Sequence, residues 1–124
     1  MKINLSSTCG NSPKNTFVQD YTVKLLSFDF DQLASMSTDG IEIVIPDKGS
    51  IKGKQHLTDL KNYFMEDIAV LTIDSSISHG KYGAALCEIS NSEESYKISF
   101  DYTFNNLKAE LIKDVIILIV KKKK

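Results

Sequence analysis

The sequence has few cysteines, almost no net charge and no long apolar run, and each shortage excludes a class of protein. Two cysteines in 124 residues are too few for a disulfide framework. Cys87 follows Ala84, Ala85 and Leu86 and is predicted to be a buried thiol, whereas Cys9 lies in a polar stretch and is predicted to be exposed. A cytosolic setting is favoured, so we expect no bridge between them. The net charge of −1 predicts no general attraction to nucleic acid or acidic membranes.

The longest apolar run, Val115–Val120, has six residues, whereas a membrane-spanning helix needs about 20. We therefore predict a buried strand there, followed by a solvated tail at Lys121–Lys124. No apolar stretch of secretory length follows Lys2, so no secretion signal is expected. These features predict a cytoplasmic protein that does not enter the membrane.

Motifs that bind metals, nucleotides or acyl groups are also missing from the sequence. The two histidines and two cysteines are widely separated and match no zinc-ligand spacing. The segment Gly49–Lys54 lacks the spacing of a phosphate-binding loop, and no G-x-S-x-G nucleophile elbow occurs. We therefore expect no metal and no cofactor.

The composition is that of one ordinary globular domain over residues 1–124. An apolar fraction of 42% and a charged fraction of 25% are enough for a hydrophobic core with a soluble surface. Residues 1–11 are rich in Ser, Thr and Asn, and residues 121–124 are all lysine. Both ends are therefore predicted to be loose tails.

Three helices are predicted before residue 65. Ser12 and Pro13 form a typical helix start, and an apolar face follows at Phe17, Tyr21, Leu25 and Phe28. Asp29 and Gln32 resemble a capping box that opens a short second helix. A third helix presents Leu57, Leu60 and Phe64 on one face.

The remaining sequence predicts an antiparallel sheet. A turn at Thr38–Gly40 precedes a strand at Ile41–Ile45, which Pro46 ends, and Ser50–Lys52 forms a short return strand. From Val70 onward, three turn signals divide the chain into four hairpin-connected strands. The fold class is therefore α+β, with helices on one face of a curved, mostly antiparallel sheet. Because Val115–Val120 is apolar on both faces, we expect a homodimer formed through the outer face.

Four local motifs, in this order of elements, resemble the nuclear transport factor 2-like superfamily in its SnoaL-like branch. They are Phe28–Asp31, Thr38–Ile41, Ile51–Lys54 and Ser78–Lys81. The resemblance covers residues 12–120 and implies a cystatin-like cone with a pocket between the concave sheet face and the helices. The superfamily includes ketosteroid isomerases, polyketide cyclases and many uncharacterised bacterial proteins, so the resemblance implies a fold and not one activity.

The resemblance to the isomerases also places two candidate catalytic positions. Tyr21 lies where those enzymes have a tyrosine that donates a hydrogen bond to an oxyanion, although a tyrosine on an apolar helix face can equally be a core residue. Their general base is a carboxylate just before a proline, but Ile45 precedes Pro46 here. Steroid isomerisation by that mechanism is therefore not expected.

Asp101 and His79 are the other ionisable candidates. The isomerases carry a protonated aspartic acid on the equivalent late strand, but aligning on Phe104 puts Phe100 at that position. The alternation of apolar residues predicts that Asp101 faces outward, unless a β-bulge turns it in. His79 continues the alternation that begins at Leu71, so we expect it at the end of the inward face, as an acid–base group or a turn-stabilising residue.

These expectations lead to an apolar pocket as the predicted site. Its walls are Phe17, Tyr21, Ile43, Ile45, Phe64, Phe100 and Tyr102, with Tyr21 and His79 as polar groups. The favoured function is binding of a small hydrophobic or aromatic molecule. An isomerase- or cyclase-type enzyme that uses His79 or Asp101 with Tyr21 is the alternative, and a dimeric scaffold without a ligand is a third. The sequence leaves open whether a reaction is catalysed.

Overall fold

The computed structural model describes residues 1–6 and 12–122, which form seven strands and three helical segments. The helical segments are α1 (Pro13–Leu26), α2 (Phe30–Ser35) and a 3₁₀ helix (Lys54–Tyr63). The strands are β1 (Lys2–Asn4), β2 (Ser37–Ile45), β3 (Gly49–Lys52), β4 (Val70–His79), β5 (Tyr82–Ser90), β6 (Ser95–Phe104) and β7 (Ile112–Lys121).

All seven strands belong to one mixed sheet in the order β1-β4-β5-β6-β7-β2-β3. The pairs β1–β4 and β2–β7 are parallel, and the other four pairs are antiparallel. The hairpin series from β4 to β7 follows the three turn signals in the sequence. The predicted α+β class, with helices packed on a large and mostly antiparallel sheet, is therefore confirmed.

Local capping chemistry sets the starts of α1 and α2 as predicted. The Ser12 side chain accepts a hydrogen bond from the Asn15 amide at 3.3 Å, and Pro13 is the first helical residue. The Asp29 carboxylate accepts from the Gln32 amide at 3.4 Å. These bonds satisfy amides that lack a partner within the first helical turn.

The structure corrects three predictions about local structure in type or extent. The third helix is 3₁₀, and its buried Leu57 and Leu60 are spaced by the three residues that place side chains on one line of such a helix. The predicted turn at Thr38–Gly40 is instead part of strand β2. The pairing of β2 with β7 is irregular there, because its register shifts between Ser37 and Glu42. The sequence predicts a loose segment over residues 1–11, but Lys2–Asn4 extends the sheet as β1 because β4 offers it a free edge, and residues 7–11 lie outside the described residues.

Helix α1 lies close to the sheet because β5 carries small residues beneath it. A β-carbon added at Gly83 would lie 2.7 Å from Val18 Cγ2 and 3.5 Å from the Phe104 ring. Both contacts are with the inner face, where Ala85 is also buried. This close approach determines how much space remains inside the cone.

Strand β7 is apolar on both faces, as the sequence predicts. Val115 and Ile117 are buried on the inner face, whereas Ile116 and Leu118 are 46% and 47% exposed on the outer face. Within the described residues, no helix combines the length and the apolar character needed to cross a membrane.

Candidate functional site

The deep interior of the cone is closed by its own side chains. Most of the predicted pocket residues are at most 1% exposed and belong to one packed core: Tyr21, Ile43, Ile45, Phe100 and Tyr102. Phe17 packs on the Phe104 ring with 5.9 Å between the ring centroids. Ile45, at the position of the isomerases' general base, is one of the buried residues. These residues therefore pack against one another as part of the hydrophobic core.

The Tyr21 hydroxyl is committed to a hydrogen bond inside this core. It lies 2.8 Å from Ser37 Oγ, and Ser37 Oγ lies 2.8 Å from the Leu33 carbonyl oxygen. Because a carbonyl only accepts, the serine proton goes to Leu33 and Tyr21 must donate to Ser37. Burial raises the pKa of Tyr21, and the bond to Ser37 offsets only part of that effect. Tyr21 is thus a neutral core donor that already has an acceptor.

Tyr102 repeats this arrangement on the opposite wall. Thr22 Oγ1 lies 2.9 Å from the Val18 carbonyl oxygen and 2.5 Å from the Tyr102 hydroxyl, so Tyr102 donates to Thr22. Burial raises the pKa of Tyr102, and the rings of Tyr21 and Tyr102 meet edge to face at 5.3 Å. Both tyrosine hydroxyls therefore have a hydrogen-bond acceptor within the core, Ser37 for Tyr21 and Thr22 for Tyr102.

The expectation that His79 points inward is wrong, and a β-bulge is the reason. The register of β4 on β5 shifts between Ile73 and Ser75, which gives β4 one extra residue. Beyond the shift, Ser76 is buried and bonds the Asn15 carbonyl at 2.7 Å. His79 is consequently exposed on the outer face. The polar run of Asp74 and two serines was the signal in the sequence, because apolar alternation fails there.

Asp101 lies on the outer face, as the alternation predicts. It is exposed between buried Phe100 and Tyr102. Together with His79 and Tyr82 it borders a shallow outer cavity of about 210 Å³ at the β4–β5 hairpin. Tyr21 is on the other side of the sheet, so the three ionisable candidates do not converge on one site as the enzyme alternative requires.

A separate cavity of about 250 Å³ opens at the rim of the cone, on the inner side of the sheet, and we call it the mouth cavity. Its lining residues come from the β2–β3 turn, the end of the 3₁₀ helix and the adjacent ends of β5, β6 and β7: Lys48, Asn62, Tyr63, Phe64, Met65, Ile89, Glu94, Tyr96 and Ile119. Of the predicted pocket residues, it contains Phe64.

The mouth cavity is shaped by residues that continue the inner-face alternation of three neighbouring strands. Ile89 pairs with Tyr96, and Ile119 pairs with Ile98 two residues further along β6. Tyr63 closes one side by lying over Gly49, where a β-carbon would overlap the Tyr63 hydroxyl. Extending the alternation to the strand ends could have identified Ile89 and Ile119 in the sequence. The position of Tyr63 depends on the 3₁₀ helix and could not have been found that way.

Other reactive groups do not form a site in the part of the chain that the structure describes. Cys87 is a free thiol that is buried as predicted, and burial is the main reason that its pKa is raised to about 12. Cys9 lies outside the described residues. His56 is exposed, and no group of three metal-ligating side chains occurs among residues 1–6 and 12–122.

Comparison with known proteins shows the fold. The chain matches no protein-family model, and no curated protein matches it in sequence. It superposes on a protein from Kribbella flavida that is assigned as a ketosteroid isomerase, with a TM-score of 0.72, 12% identity and coverage of 90% of this chain and 80% of that one. An NTF2-like protein of unknown function from Burkholderia xenovorans gives a TM-score of 0.71 at 13% identity, with 91% and 90% covered.

A protein assigned as a SnoaL-like polyketide cyclase, from Shewanella putrefaciens, is similar to the same extent. The TM-score is 0.69 at 9% identity, with 87% of this chain and 90% of that chain covered. The NTF2-like, SnoaL-like cone that the sequence motifs predicted is thereby confirmed as the fold. At such identities the likeness extends to the fold alone, so function has to be argued from the site.

Proposed function

We propose that this protein binds a small hydrophobic or aromatic molecule in the mouth cavity. The observation that carries the proposal is a cavity of about 250 Å³ on the inner sheet face beside a closed core. An apolar cavity of roughly 150 Å³ is enough to hold benzene, so this volume suits one ring with a short substituent. Phe64, Ile89, Tyr96 and Ile119 supply the apolar wall that such a ring needs.

A variant that fills the cavity tests this proposal. Ile119 is half-buried at the rim, so Ile119→Trp adds volume where space exists and not within the packed core. Leu107→Trp is the matched control, because Leu107 is 66% exposed in the β6–β7 loop at the other end of the strands. We expect single-ring aromatic compounds to raise the melting temperature of the wild type and of Leu107→Trp, but not of Ile119→Trp. Equal stabilisation of all three proteins would contradict the proposal.

We also propose that two copies associate through the outer sheet face. Apolar side chains from three strands are exposed there: Ile77, Leu86, Ile116, Leu118 and Val120. Four charged residues on the same face are paired within the chain, Asp74 with Lys97 and Glu88 with Lys122, so a partner need not neutralise these four, whereas Asp101 is exposed there. A second copy would present the same apolar surface, which suits a two-fold contact.

The mass in solution tests this association. We expect a dimer mass in light scattering at micromolar concentration, and a monomer mass for Ile116→Lys combined with Leu118→Lys. Thr58→Lys on the exposed side of the 3₁₀ helix is the control and is expected to remain dimeric. A monomeric wild type would refute the dimer while leaving the ligand proposal intact. A dimer in which no compound binds would favour the scaffold function instead.

A further inference from the structure

The mouth cavity is lined by both apolar and polar groups. The sheet supplies Ile89, Tyr96 and Ile119 from three adjacent strands. The β2–β3 turn supplies Lys48, and the end of the 3₁₀ helix supplies Asn62 and Tyr63, followed in the chain by the apolar Phe64 and Met65. Tyr63 is held next to the β2–β3 turn that carries Lys48, because its ring lies over Gly49. A ligand that fills the cavity therefore needs an apolar body and a polar end.

The charges around the cavity indicate the sign of that polar end. Glu94 is the acidic residue of the lining, and its carboxylate is 3.6 Å from Lys121 Nζ. Lys48 forms no ion pair within residues 1–6 and 12–122. The lining thus offers one unpaired cation, while its acid already has a counterion. Asn62 and Tyr63 add an amide N–H and a hydroxyl, both of which can donate to an oxyanion.

We propose that the natural ligand is a small aromatic or apolar carboxylate whose anionic group binds beside Lys48. The inference rests on the proposed function, since it names the chemical class of ligand for that same cavity. The ring would lie on Ile89, Tyr96 and Ile119, and the carboxylate would accept hydrogen bonds from the Lys48 ammonium and the Asn62 amide. The limited volume restricts the body to about one ring and a few further atoms.

Three probes with the same benzyl body separate charge from shape: phenylacetate, phenylacetamide and phenethylamine. Their dissociation constants are measured by titration of amide chemical shifts, which detects millimolar binding. We expect phenylacetate to bind about fivefold more tightly than the amide, the ratio for a partly exposed ion pair, and the amine to bind most weakly. The preference for phenylacetate should shrink as salt is added, because salt screens a rim charge.

Lys48→Met tests the residue itself and keeps the apolar stem of the side chain. We expect this variant to bind phenylacetate and phenylacetamide equally well. Lys52→Met is the matched control, because Lys52 is an exposed lysine on β3 that does not line the mouth cavity, and it should keep the preference.

The outcomes separate this inference from the proposed function. Equal binding of the three probes to the wild type overturns the carboxylate inference and leaves a neutral hydrophobic site. Tightest binding of the amine also overturns it, and would indicate that Glu94 recognises the ligand despite Lys121. Failure of every aromatic compound, charged or neutral, would overturn the proposed function as well.

Discussion

Tyr21 donates a hydrogen bond to Ser37 across 2.8 Å, from the middle of α1 to the first residue of β2. The bond joins helix α1 to strand β2 of the sheet. Both side chains are buried, and the Ser37 hydroxyl donates its own hydrogen bond to the Leu33 carbonyl oxygen. Tyr21 therefore serves to stabilise the packed core.

We expect Tyr21→Phe to lower the free energy of unfolding by about 1 kcal/mol, the usual net value of a buried hydrogen bond. Denaturant unfolding measures the change. Tyr82→Phe is the control, because Tyr82 is 64% exposed, and it should alter stability by less than about 0.5 kcal/mol. If the two variants lose the same amount, the Tyr21–Ser37 bond contributes nothing specific.

Stability should fall as the pH rises above about 10. The pKa values of Tyr21 and Tyr102 are raised by burial in the folded protein, whereas tyrosines in the unfolded chain ionise near pH 10. Above that pH the unfolded state releases protons that the folded state keeps, so the stabilisation present below pH 10 is progressively lost. Urea unfolding at pH 9, 10 and 11 measures this decline.

The variant that combines Tyr21→Phe with Tyr102→Phe is the control for this pH effect. It starts from a lower stability because two hydrogen bonds are missing, but its stability should decline less between pH 9 and 11. An equally steep decline would assign the effect to other groups.

Gly83→Ala should destabilise the protein by about 1 to 3 kcal/mol, because the new methyl group overlaps Val18 Cγ2. The combination with Val18→Ala should recover part of this loss relative to the sum of the two single variants. Gly40→Ala is the control, since a β-carbon there meets no atom within 4 Å. Additive losses in the double variant would show that α1 does not rest on Gly83.

Two adjacent serines test the bulge in β4. Ser76 is fully buried, whereas Ser75 faces outward beside Leu86. We expect Ser76→Asp to cost about 3 kcal/mol or more, because it places a charge in the core, and Ser75→Asp to cost less than about 1 kcal/mol. Thermal and denaturant unfolding compare the two. A larger loss for Ser75→Asp than for Ser76→Asp would mean that β4 has no bulge and that His79 faces inward.

The sequence predicts those parts of the fold that depend on residues close together along the chain. Ser12 with Pro13, and Asp29 with Gln32, define helix starts because each cap is completed within three residues. The alternation from Tyr96 to Phe104 gives the correct face for Asp101. The bulge at Asp74, by contrast, appears only when β4 is paired with β5, so His79 could not be oriented from its own strand.

The residues of the predicted pocket fill the core, and this too depends on contacts between distant parts of the chain. Tyr21, Phe100 and Tyr102 do face the interior, as predicted, but a pocket requires that the helix stand away from them. The distance of α1 from the sheet is set by Gly83 and Ala85 on another strand, and it leaves no room beside these rings. The mouth cavity depends on Tyr63 lying over Gly49, a contact that no local pattern encodes.

The measurement that tests the central claim most directly is a residue-by-residue map of amide shifts on titration with phenylacetate and with neutral single-ring compounds. We predict that the perturbed amides cluster at the mouth cavity, at Phe64, Ile89, Tyr96 and Ile119, and that Ile119→Trp abolishes the shifts. Amides around Tyr21 and on the outer face at Asp101 should remain unchanged. Shifts that cluster at either of those places, or an absence of shifts with every compound, would contradict the account.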